Sequence, residues 1–181
     1  MNRILKMITV LTVIGLISGG VLAYIYQGMQ PKIIANQIRE TDAAVFRVVP
    51  GTKKYNKVEK GDLIYFECFD DANARLGTAI ICQGNGYQGV IKMILGVNAD
   101  FSKFTGMSVL EQVETPGLGA KISESSFQAQ FKGLAARPPI EYVKGISPSK
   151  QNEIQAITGA TISSRSVVEI INKTIEEWLG K

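Results

Sequence analysis

Three periodicities of hydrophobic and polar positions follow one another along the chain, and each change of period marks a boundary between elements. Between Lys6 and Lys32 there is no charged residue at all. At the helical rise these 25 positions extend roughly 37 Å, enough for a bilayer core of about 30 Å. Tyr24 and Tyr26 stand where an interfacial aromatic pair belongs. Small residues in Val21-Leu22-Ala23 are compatible with a signal-peptide cleavage site, but the apolar run continues through Tyr24-Ile25-Tyr26. The expectation is a retained single-pass anchor over residues 1–30, spanning about 7–26. Pro31 then opens a second helical pattern, with Ile34, Ile38 and Val45 on one stripe, and Pro50-Gly51 ends it. Residues 31–60 read as a linker helix followed by a loop.

From Leu63 the period becomes that of strands. Residues 63–69 and 78–82 are apolar runs bounded by polar turns. Tyr87, Gly89, Ile91, Met93, Leu95 and Val97 alternate as one face of a half-buried strand. A turn at Ala99-Asp100 leads to a further strand over 106–113. The helical period then returns. Residues 123–134 form a short helix with Phe127, Phe131 and Leu134 inward, broken by Arg137-Pro138-Pro139. A strand over 140–143 and a loop over 147–150 follow. A final helix from Ser163 aligns Val167, Ile171, Thr174 and Trp178, with Val168 and Ile175 beside them. Ser163 or Ser164 fits its cap, and Ser166 with Glu169 has capping-box spacing. Clustered strands between helices predict an α+β fold over residues 61–181: a mainly antiparallel sheet packed with helices, plus the N-terminal transmembrane helix.

Composition narrows the chemistry. The chain of 181 residues is 45% hydrophobic, with a net charge of +4 and no histidine. Lacking histidine, it has neither the commonest zinc ligand nor the base of a Ser-His triad. Cys68 and Cys82 are the only cysteines and form no CxxC, which argues against an Fe–S cluster or zinc ribbon. They would face one another if the intervening turn were centred near Arg75, as two buried thiols or, outside the cytoplasm, a disulfide; thiols are the preferred reading. Lys53, Lys54, Lys57 and Lys60 read as a solvated loop rather than a nucleic-acid face, since no aromatics alternate with them. No metal-ligand set and no catalytic acid–base pair stands out.

What remains is a set of glycine-rich segments. Thr158-Gly159-Ala160-Thr161 precedes the last helix, so Thr161 lies at a helix N-terminus, where free amides and the dipole favour an anion such as a phosphate. By itself this is an ordinary helix start. Two further segments in the same domain change that reading. Glu114-Thr115-Pro116-Gly117-Leu118-Gly119 is a flexible loop able to lie against a planar ring, with Leu118 over one face and Glu114 and Thr115 as polar contacts. Gly84-Asn85-Gly86-Tyr87-Gln88-Gly89 is the other. Candidate binding residues are Thr158, Gly159, Ala160, Thr161, Ser163, Glu114, Thr115, Gly117, Leu118, Gly119 and Tyr87.

Together the three segments resemble the FMN-binding domain of the G subunit of the Rnf electron-transport complex, shared with the C subunit of the Na⁺-translocating NADH:quinone oxidoreductase. The resemblance runs from about Gly84 to the C-terminus, and the anchor matches in position. It implies FMN attached covalently to Thr161 through a phosphoester, installed by a Mg²⁺-dependent flavin transferase that uses FAD and releases AMP. It also implies electron relay within an ion-translocating ferredoxin:NAD⁺ oxidoreductase, with the A, B, C, D and E subunits of the Rnf complex as partners. Membrane lipid surrounds the anchor on that reading, and nucleic acid is no partner. Arg3 and Lys6 before the span nearly balance Lys32 and Arg39 after it, so an extracytoplasmic domain follows from the resemblance rather than from charge. Two positions depart from the family pattern: Gln112 replaces a frequent His, and Gln155 a common Asp six residues before the acceptor threonine. The second bears on recognition by the transferase. Rival readings are the quinone-reductase branch, a free-standing membrane-anchored flavin module and, last, a pilin-like protein, whose usual acid near the helix start is missing.

Overall fold

The computed structural model describes residues 2–61 and 63–180. They divide into two compact units, one ending at Arg39 and the other starting at Glu40. The first unit consists of most of helix α1, Arg3–Val48. Its N-terminal part is long and apolar enough to cross a membrane, with a mean hydropathy of 2.2 over 18 residues. The expected helix break at Pro31 is absent: Pro31 lies inside α1. A proline removes one amide donor and crowds the carbonyl four residues back. The helix continues on both sides of Pro31 all the same.

The second unit is built on a five-stranded antiparallel meander in the order β1-β2-β3-β4-β5. Its strands are β1 (Lys54–Lys60), β2 (Leu63–Phe69), β3 (Arg75–Asn85), β4 (Val90–Asn98) and β5 (Phe104–Glu111). Strand β1 corrects the expectation of a solvated loop. It pairs along its length with β2, from Lys54 opposite Phe69 to Lys60 opposite Leu63. As an edge strand it is mostly exposed, and lysines on an edge deter pairing with another chain. The same lysines conceal it as a strand in the sequence.

Alternation along the strands divides the core in two. Ile80 and Cys82 of β3 join Ile91, Met93, Leu95 and Val97 of β4 on one face. Phe66, Cys68, Ala79 and Ile94 lie on the other. The first face is covered by Phe127, Phe131 and Leu134 and by Val167, Ile171 and Ile175 of the C-terminal helix. Ala44, Val45 and Val48, from the last turns of α1, cover the second. Tyr55 reaches from β1 to donate to Asp42 Oδ1 at 2.6 Å. That bond, burial and the carboxylate's charge push the phenol up to about 12.

The cysteines therefore do not face one another. Cys68 is opposite Gly77, Cys82 is opposite Met93, and the two point to opposite faces of the sheet. Both are free buried thiols, and burial pushes Cys82 up to about 12.

Beyond the sheet, the stretch expected as one short helix is a succession of turns: a 3₁₀ turn Gly119–Ser123, α2 (Ser125–Gln128) and a 3₁₀ turn Ala129–Phe131. The expected inward residues Phe127, Phe131 and Leu134 are buried nonetheless. Two short strands, β6 (Glu141–Val143) and β7 (Glu153–Gln155), pair in parallel. Helix α3, Thr161–Leu179, closes the chain.

Candidate functional site

Helix α3 begins two residues earlier than its hydrophobic pattern suggests, with Thr161 as its first residue and Ala160 at the cap. Ala160 has no side chain able to accept from the first turn, and no side-chain cap is made. The amides of Thr161, Ile162 and Ser163 precede the first intrahelical bond, Ser164 N–H to the Ala160 carbonyl at 3.1 Å, so no helix carbonyl receives them. Such a terminus suits an anion.

The serines expected as caps hold the turn from beneath instead. Ser164 Oγ donates to the Ala160 carbonyl and accepts from the Ile157 amide, each at 3.0 Å. This hydroxyl pins the 157–160 turn to the first turn of the helix. Ser166 is buried inside α3 and makes no capping box. Gly159 has φ +82°, a conformation that a residue with Cβ adopts only under strain.

Residues from all three glycine-rich segments meet here. An open cavity of about 430 Å³ is lined by Tyr87, Thr115, Leu118, Gly119, Gly159, Ala160, Thr161, Ile162 and Ser163. That volume is in the range of small-molecule and cofactor sites. Tyr87 is exposed in the β3–β4 turn rather than within a strand, since β4 starts only at Val90. Ile162 is the wall residue that periodicity passes over. It lies off the buried stripe of α3 and is half exposed. Thr158 and Gly117 are exposed and stand outside the wall.

Glu114 lies under the wall rather than on it, 4% exposed. Its Oε1 accepts from the Gln88 amide at 3.0 Å, and its Oε2 accepts from the Ser163 hydroxyl. Thr115 Oγ1 donates to Gln88 Oε1 at 3.0 Å, and Gln112 Oε1 accepts from the Glu114 amide at 2.6 Å. One carboxylate thus ties the β3–β4 turn, the 112–119 loop and α3 together. Gly119 makes this possible, because a Cβ there would stand 2.6 Å from Ser163 Oγ and 2.8 Å from Glu114 Oε2.

Small residues at the rim, apolar Leu118 and Tyr87, and unclaimed helix amides at one end give the pocket an apolar wall and an end suited to an anion. They fit FMN: the amides match its phosphate, and the apolar groups match its ring. Among the described residues no cluster of metal-ligating side chains occurs.

The model of the FMN-binding domain matches residues 86–176, and the chain belongs to that family, in the branch of the Rnf-type G subunits. The G subunit of a proton-translocating ferredoxin:NAD(+) oxidoreductase complex from Clostridium ljungdahlii is 31% identical over 97% of this chain and 92% of its own length. Its counterpart in an ion-translocating oxidoreductase complex from Methanosarcina acetivorans is 29% identical over 97% and 94%. In fold, the chain is similar to the C subunit of the Na(+)-translocating NADH-quinone reductase from Parabacteroides distasonis, as seen in its crystal structure. That similarity has a TM-score of 0.66 at 22% identity and covers 81% of this chain and 94% of that one.

Proposed function

We propose that the chain is the G-type, electron-relaying subunit of a membrane-bound, ion-translocating ferredoxin:NAD⁺ oxidoreductase, and that it holds FMN covalently on Thr161. The observation that carries the proposal is the cavity at the start of α3. Among the described residues no group hydrogen-bonds the Thr161 hydroxyl, and it stands in the wall beside uncapped amides. In the phosphoester, the amides of the first turn hold the remaining phosphate charge. Gly159 and Ala160 keep the acceptor open to a flavin transferase. Attachment joins the Thr161 oxygen to the FMN phosphorus of FAD, AMP leaves, and the hydroxyl proton passes to solvent.

Bound FMN supplies the electron transfer, and the chain supplies position and electrostatics. Leu118 and Tyr87 offer apolar surface to the ring. Thr115, fixed by Gln88, sets the loop against it. Glu114 fastens the three segments from below. Gly117 and Thr158 serve the loop and the turn, not the wall. The domain acts with the other subunits of its complex (A, B, C, D and E on this reading). Helix α1 anchors it by a single pass, with the domain on the extracytoplasmic side.

The quinone-reductase branch is the second reading. The C subunit of the Na(+)-translocating NADH-quinone reductase from Vibrio vulnificus is 33% identical, but over 54% of this chain and 39% of its own length. The near-complete coverage by G subunits favours the first. Co-expression with a flavin transferase tests the attachment. Thr161→Ala should abolish in-gel flavin fluorescence after denaturation and Thr158→Ser should keep it. Fluorescence surviving in Thr161→Ala overturns the assignment.

A further inference from the structure

Among the described residues no lysine or arginine lies within ion-pair distance of Glu114. The partners of its two oxygens, the Gln88 amide and the Ser163 hydroxyl, are both neutral. A buried acid is ordinarily paired with a cation, because leaving it unpaired is costly. The hydrogen bonds do not require the charge. A glutamine in its place accepts from the Gln88 amide and donates to Ser163 Oγ, whose hydroxyl can reverse. The carboxylate therefore adds a negative charge that the tie itself does not need, directly beneath Gly119 and Ser163 of the cavity wall.

Resting on the FMN reading above, we infer that Glu114 lowers the reduction potential of the flavin held in this cavity through its buried, unpaired negative charge. Reduction brings electrons from an external donor, with protons from water, onto the ring. No bond to Glu114 forms or breaks. Its field opposes the added negative charge, and the low dielectric under the wall transmits that field better than water does. At an effective dielectric of about 20, a shift of the equilibrium on the order of tenfold is the scale that one unit charge exerts. For a two-electron couple that is about 30 mV.

The test is redox titration of flavin absorbance at mildly alkaline pH, where the reduced ring is anionic. It uses the full chain in detergent, loaded by co-expression with the transferase, as wild type, Glu114→Gln and Glu114→Asp. The expected result is a midpoint about 30 mV higher in Glu114→Gln, with Glu114→Asp staying nearer the wild type because it keeps the charge while loosening the contacts. An equal rise in both variants marks a merely structural role and overturns the inference. So does Glu114→Gln losing its flavin or melting far below wild type. Flavin on all three chains at one midpoint overturns this inference alone. A wild-type chain that takes up no flavin overturns the FMN reading, and this inference falls with it.

Discussion

Replacing Gly119 with alanine adds one methyl group at the point where the site is fastened. The added Cβ stands 2.6 Å from Ser163 Oγ and 2.8 Å from Glu114 Oε2, well inside van der Waals contact. Neither partner is free to give way, since the two are hydrogen-bonded to each other and both are buried. Breaking a hydrogen bond to a charged group costs about 1.5–3 kcal/mol, and overpacking adds about 1–3 kcal/mol. A loss of about 4 kcal/mol follows, or roughly 10 °C in Tm for a domain of this size. Gly117→Ala in the same loop is the control. Its φ is +75°, and a Cβ there meets nothing within 4 Å, leaving a backbone cost of about 1–2 kcal/mol. Trp178, the single tryptophan, packs on Phe101 at 4.5 Å and reports melting of the second unit by fluorescence in detergent. If Gly119→Ala melts no lower than Gly117→Ala, the Glu114–Ser163 tie does not hold the site together.

Two further outcomes follow from titratable groups away from the cavity. Backbone amides of Ser149 and Lys150, donating at 2.9 and 3.1 Å, hold the Glu153 carboxyl at about 2. Because this lies below its ordinary value of 4.5, the contribution is present above that pH and is lost as pH falls from there towards 2. Glu153→Gln should lower Tm near neutrality and flatten the acid limb of the Tm–pH curve; parallel acid limbs contradict this. Burial raises both thiols, with Cys82 at about 12, so Cys68 and Cys82 should resist a disulfide-exchange reagent at mildly alkaline pH until the domain unfolds. Rapid labelling of the native chain contradicts the packing described.

Much of this arrangement is legible from periodicity. The alternation from Ile91 to Val97 marks β4 and its buried face, and the stripe through Val167, Ile171 and Ile175 marks α3. Strand β1 escapes because an exposed edge has little need of apolar residues, and three of its seven are lysines. The continuity of α1 escapes because Pro31 is also a good helix start, and local sequence does not distinguish the two roles. The serines of α3 mislead in the same way. Ser163 and Ser164 carry capping side chains, but their hydroxyls are spent on Glu114 and on the 157–160 turn. At the site, the three glycine-rich segments could be seen to belong together. The position of Glu114 could not, because it depends on which strand turn faces α3. The same holds for the cysteines: a separation along the chain does not say which face of a sheet each residue takes.

Peptide mapping by mass spectrometry, on the chain purified with its native complex, reads the attachment most directly. The peptide containing Thr161 should carry the mass of one FMN less one water, with fragmentation placing it on Thr161. The same mass on Thr158, or its absence from every peptide of a chain that came from an intact complex, contradicts FMN attachment at the start of α3.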